Sequence, residues 1–122
     1  MKILLVDDDA FLRDMYAIKF TENGHQVDAA DSAAMALRKF EHDQSFDVVL
    51  LDMIMPGMSG VELIAALKEK FPVAGTKYIV LSNQGQDDDI EQATKAGAVG
   101  YIIKAETVPS DVVTQVVHLV QK

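Results

Sequence analysis

The sequence predicts a parallel α/β sheet with helices on both faces, on three observations. Short apolar runs alternate with amphipathic stretches along 122 residues, leaving no room for a long linker or a second domain. Three of those runs are apolar on successive residues, as parallel strands buried on both faces must be. Turn and cap signals fall between the runs, so five strands and five helices follow one another, with right-handed crossovers.

The strands, in order, are "KILLV" (Lys2 to Val6), the weaker "QVDAA" (Gln26 to Ala30), "FDVVLL" (Phe46 to Leu51), "KYIVL" (Lys77 to Leu81) and "VGYIIK" (Val99 to Lys104). Asp9 reads as the N-cap of the first helix. Gly24 after Asn23 and Gly97 after Ala96 read as helix C-caps, where positive φ is needed and glycine adopts it without a steric cost. Ser59 with Glu62, and Asp88 with Glu91, have capping-box spacing, and Pro72 stops the third helix. That helix sets Val61, Ile64, Leu67 and Phe71 on one inward stripe and Glu62, Lys68 and Glu69 toward water. The fourth, between Asp87 and Ala96, offers only Ile90, Ala93 and Ala96, so its hold on the core is weak. The last helix runs from Ser110 to Gln121.

Nineteen acids against eleven bases give a net charge of −8, and the bases are scattered, so direct nucleic-acid contact is not expected. Without cysteine there is neither a disulfide framework nor a thiolate zinc site, which fits a cytoplasmic setting. "MKILLVDDD" has four apolar positions before three acids, far short of the roughly 20 residues that span a bilayer, so no membrane insertion is expected. His25, His42 and His118 lack mutual ligand spacing and read as surface residues, and the six methionines read as core filler and loop cover.

In open parallel sheets, ligands bind beyond the carboxyl ends of the strands. Here the first strand ends in Asp7, Asp8 and Asp9, the third in Asp52, the fourth in Ser82 and the fifth in Lys104. If the first and third strands are neighbours, Asp7, Asp8 and Asp52 form a repulsive cluster that calls for a cation. An all-oxygen site that keeps water and accepts a phosphoryl oxygen suits Mg²⁺. Each feature alone has a plainer reading: Asp52 as a solvated turn acid, Lys104 as a snorkelling surface lysine, Tyr101 as core. Their joint placement at matching strand ends favours a phosphoacceptor site.

"ILLVDDD", "LLDMIMPGMSG", "IVLSN" and "GYIIKAE", in that order, resemble the receiver domain of two-component response regulators, over essentially the whole chain, 1–122. The resemblance implies a flavodoxin-like three-layer sandwich, with a five-stranded parallel sheet of order 2-1-3-4-5 and five helices. It implies phosphorylation of Asp52, with Ser82 and Lys104 contacting the phosphoryl group and Ser82 and Tyr101 acting as the switch. It implies Mg²⁺ held by Asp7, Asp8, Asp52 and the main-chain carbonyl of Ile54, with Asp8 as a direct ligand and Asp7 acting largely through water. The phosphoryl group would come from a sensor histidine kinase or a phosphotransfer protein. The output surface would be the face made by the fourth helix, fifth strand and last helix, used for docking a target or for self-association. The protein itself would be a switch assisting its own phosphorylation and dephosphorylation, not an enzyme acting on other substrates.

The chemistry agrees, because a carboxylate attacking phosphorus approaches an anionic group and the barrier is largely electrostatic. Mg²⁺ and Lys104 reduce that repulsion, and Ser82 is expected to donate a hydrogen bond that exists only once the phosphoryl group is present. Two positions depart from the family pattern. Ala105 stands where a proline with a cis bond is common; a cis bond before alanine would cost about 2.5–4 kcal/mol, so a trans bond or a strained loop is expected. Asn83 stands where a small residue is usual and is expected to obstruct or hydrogen-bond a phosphodonor. A haloacid-dehalogenase-type phosphatase would carry a second Asp where this chain has Ile54, and a flavodoxin-like carrier would need a phosphate loop where three acids stand. The remaining alternative is a receiver-like protein-binding module that works without phosphorylation, which usually lacks one of the acids or the lysine.

Overall fold

The computed structural model describes residues 1–72 and 75–121. The elements are β1 (Lys2–Val6), α1 (Ala10–Glu22), β2 (Gln26–Ala30), α2 (Ala33–His42), β3 (Val48–Leu51), α3 (Gly60–Lys70), β4 (Lys77–Ser82), α4 (Asp87–Ala96), β5 (Ala98–Ile103) and α5 (Pro109–Gln121), with a single 3-10 turn at Lys104–Glu106. The strands are all parallel, in the order β2-β1-β3-β4-β5.

Successive apolar residues in the central strands serve two separate cores. Leu4 and Val6 of β1, Val49 and Leu51 of β3, and Tyr78 and Val80 of β4 pack with α2, α3 and Ala93 of α4. The residues between them, Ile3, Leu5, Val48, Leu50, Ile79 and Leu81, pack with Tyr16 and Phe20 of α1 and Val112, Val113 and Val116 of α5. Alternation across the pleat therefore demands an apolar residue at every position.

Several boundaries differ from the sequence reading. β3 starts at Val48, not Phe46, because the Lys2 N–H is taken by the Asp47 carboxylate (2.7 Å) rather than by a main-chain carbonyl; Phe46 is still buried and stacks on Phe40. β4 gains Ser82, and β5 lies one residue earlier, leaving Lys104 in the 3-10 turn. The cap of α4 is Gln86, whose N–H bonds Asp89 (3.2 Å), not Asp88 paired with Glu91: the helix begins at Asp87, which sets Asp89 at its third position. The Ser59–Glu62 box forms as expected, and Gly24 and Gly97 take φ of 85° and 112° at their helix ends. On α3, Val61 packs half-buried against the core, Leu63 joins the buried face beside Ile64 and Leu67, and Phe71 packs on the core from the helix's C-cap. No described helix is long and apolar enough to cross a membrane.

Candidate functional site

Val6 pairs with Leu51 in the β1–β3 register, so Asp7 and Asp52 leave the sheet at the same level. The Asp52 N–H still reaches the Val6 carbonyl (3.2 Å) and the Asp7 N–H reaches Ala30 (3.1 Å), which holds both residues on the frame of the sheet. On the far side Ser82 pairs with Ile103, and Lys104 follows immediately. Carboxylate oxygens of Asp7, Asp8 and Asp52 all lie within 4.8 Å of one another.

The Lys104 ammonium fills the gap between two of these acids, 2.6 Å from Asp7 Oδ2 and 2.8 Å from Asp52 Oδ2. Its side chain is 6% exposed, against 2% for Asp7 and 13% for Asp52. Burial alone would lower the Lys104 pKa, but the hydrogen bonds to Asp52 and Asp7 outweigh it and the amine is held above the ordinary lysine value. Tyr16, on α1 behind this group, is raised by burial and partly offset by the Lys104 charge. The Lys104–Ala105 bond is trans.

The other oxygen of Asp52, Oδ1, accepts from Ser82 Oγ (2.7 Å) and from the Ile54 N–H (3.3 Å). The hydroxyl bond expected only after phosphorylation is thus present without it, because the free carboxylate is itself an acceptor within reach of β4. Ser82 Oγ in turn accepts from the Gln84 N–H (3.2 Å), and the Tyr101 hydroxyl donates to the Gln84 carbonyl. Asp52, Ser82, Gln84 and Tyr101 so form one chain of contacts from the acidic rim to β5. Asn83 is exposed and its side chain makes no described hydrogen bond, and Ile54 is 61% exposed.

Behind Asp52 the loop turns sharply through Gly57 (φ 82°) and returns at Gly60, whose N–H bonds the Met53 carbonyl at 2.9 Å. A Cβ on Gly60 would lie 2.3 Å from the Asp52 carbonyl oxygen, so α3 can begin this close to the acid only with glycine there. Two contacts had no sequence signal. The Gln84 carbonyl is a backbone partner that any residue type could supply. Arg13 donates from Nη1 to the Asp7 carbonyl (2.8 Å), a long side chain reaching main chain, which leaves no residue pattern to read. A groove of about 510 Å³ lined by Phe11, Met15, Ile18 and Pro109 lies elsewhere, between α1 and the start of α5, and contains none of the converging residues.

The arrangement offers a half-buried carboxylate with a cation on one oxygen and a hydroxyl donor on the other, beside two more carboxylates close enough to share an ion with it. Residues 3–116 match the family described as "Response regulator receiver domain". The chain is 39% identical over 105 residues to the chemotaxis protein CheY of Bacillus subtilis (strain 168), covering 84% of each chain. It is 31% identical over 121 residues to the transcriptional regulatory protein ResD of the same organism, covering 99% of this chain and 48% of that one, so it spans about half of the latter's length. A solved response regulator receiver domain protein from Clostridium thermocellum superposes with a TM-score of 0.86 at 29% identity, covering 98% of this chain and 94% of that one.

Proposed function

The chain belongs to the response regulator receiver domain family, and on that premise we propose that it is a phosphorylation-activated switch with Asp52 as the phosphoacceptor. One observation carries the assignment: the Asp52 carboxylate, at the end of β3, is bonded on one oxygen to Lys104 and on the other to Ser82. An Asp52 oxygen attacks phosphorus of a phosphohistidine as the P–N bond breaks, and the electron pair leaves with the imidazole nitrogen. Lys104 and Ser82 then pass their hydrogen bonds from the carboxylate to the phosphoryl oxygens, where the larger negative charge strengthens them. Because Ser82 already contacts Asp52, the signal in this reading is a change in bond strength and partner, not the making of a first bond. The Asp52–Ser82–Gln84–Tyr101 chain carries it to the face formed by α4, β5 and α5, where a target or a second copy docks.

The donor set fits Mg²⁺: Asp7, Asp8 and Asp52 supply hard oxygens close enough to share an ion, and the Ile54 carbonyl follows Asp52 by two residues. When bound, the ion neutralises charge on the phosphoryl oxygens. Family membership supports a histidine kinase or phosphotransfer protein as the donor. The net charge of −8 argues against phosphate-backbone contact by these residues, and a cytoplasmic setting agrees with the family's role. The phosphorylation-independent alternative has no observation in its favour, since the acids, hydroxyl and lysine are all present.

Incubation with a small-molecule phosphodonor and Mg²⁺, followed by intact mass measurement, tests the assignment. One acid-labile phosphoryl group is expected on the native protein and none on Asp52→Asn. Undiminished labelling of Asp52→Asn would refute it.

A further inference from the structure

Every polar group of Asp7 is engaged: its N–H with Ala30, its carboxylate with Lys104 and with the Asp9 N–H (3.0 Å), and its carbonyl with Arg13 (2.8 Å). The exposed Asp8 is the opposite, for its carboxylate has no hydrogen-bond partner among the described residues. With nothing holding the carboxylate itself, the backbone is what places Asp8 and limits where its carboxylate can reach. That backbone is pinned on both sides. The peptide joining Asp8 to Asp9 is held by the Asp7 carboxylate through the Asp9 N–H. The peptide joining Asp7 to Asp8 is held by Arg13 through the Asp7 carbonyl, reached by a side chain that leans back toward the start of α1, as helical side chains do.

We infer that Arg13 is a positioning residue for the cation site: by fixing the Asp7–Asp8 peptide it aims the Asp8 carboxylate at the point shared with Asp7 and Asp52. This rests on the proposal that the three acids bind Mg²⁺, and it adds a residue outside the acids and lysine that carry that proposal. Its usefulness lies in a sign. A guanidinium bonded to the Asp7 main chain brings positive charge near the acidic cluster and opposes a divalent cation there by simple Coulomb repulsion, so if charge were its whole contribution, removing Arg13 would tighten Mg²⁺ binding. If it orients Asp8, removal loosens binding, as loss of a partner that orients a metal ligand does.

The test is calorimetric titration of the intact protein with MgCl₂, with folding followed by circular dichroism. Arg13→Met, which keeps an apolar stem but removes donor and charge, is expected to weaken binding roughly tenfold. Arg13→Lys, which keeps a donor and the charge, is expected to recover most of the loss. Arg38→Met removes an equal charge from an exposed position on α2 and is expected to leave binding unchanged. Should Arg13→Met not fold, Arg13→Gln, whose shorter donor stops short of the Asp7 carbonyl, is expected to move affinity the same way. Unchanged or tighter binding by the folded Arg13 variants overturns the inference while leaving the metal proposal standing. A native protein that binds no Mg²⁺ removes the metal proposal, and this inference with it.

Discussion

α3 and α4 are nearly the same length, 11 and 10 residues, and pack on the same face of the sheet, yet they are held very differently. α3 buries Gly60, Leu63, Ile64 and Leu67 and opens with a reciprocal Ser59–Glu62 capping box. α4 buries Ala93 alone, with Ile90 and Ala96 half-buried, and opens with its own cap, the Gln86 N–H bonded to Asp89. Each buried Leu or Ile contributes roughly 1.5–3 kcal/mol, a scale that one alanine methyl does not approach. The helix beside the turn behind Asp52 is thus fixed, and the helix that follows Gln84, in the middle of the Ser82–Gln84–Tyr101 chain, is cheap to move. The proposed switch needs this division: a rigid acceptor and a soft reporter.

The largest expected effect is on stability. Leu67→Ala should cost about 2–5 kcal/mol in a chemical denaturation experiment, whereas Ile90→Ala should cost about 1 kcal/mol or less. Equal losses would break the comparison. Next, amide exchange of the unmodified protein should be faster in α4 than in α3 by about tenfold or more, since opening α4 exposes little apolar surface. Addition of a phosphoryl mimic should then change protection most between Ser82 and Lys104. A change centred on α1 and α2 would separate the output surface from α4.

Cap chemistry at α3 gives a smaller effect. Ser59→Ala should destabilise α3 by about 1 kcal/mol, because the N–H of Glu62 loses its acceptor. The smallest effect is one of pH. The Ser59 N–H holds the Glu62 carboxyl below its ordinary range, so the folded state releases that proton more readily than the unfolded one. The box's contribution is therefore complete above the ordinary glutamate pKa of 4.5 and fades as pH falls through the lower, folded value. Protection of the first turn of α3 should fall over that window in the native protein and be insensitive to it in Glu62→Gln.

The sequence made the architecture legible because burial on both faces of a parallel sheet forces runs such as Leu4–Val6 and Val48–Leu51, and because converging strand ends follow from parallel order alone. It also exposed the thin stripe of α4. Finer details depended on competition between neighbours. Asp47 shortened β3 by taking a main-chain donor, and Asp89 took the capping role from Glu91 because the helix began at Asp87. Leu63 joined the inward stripe and left Val61 at its edge, because the face of a helix is set by where it meets the sheet, which periodicity fixes only to within a residue. The Ser82–Asp52 bond depends on distances between strands far apart in sequence, and the Arg13 contact on a long side chain reaching backbone, for which no residue pattern exists.

The ammonium of Lys104 has a consequence in charge accounting. Three carboxylates and one ammonium leave the cluster with two unbalanced negative charges, which a single divalent cation cancels and a monovalent one does not. Without such an ion, the mouth of the site faces an approaching phosphorylated donor as a dianion within a molecule already carrying −8. With it, that local field collapses to a dipole whose reach falls off steeply. The lysine therefore cancels one of the three negative charges, and the two it leaves set the valence of the ion that can complete the task.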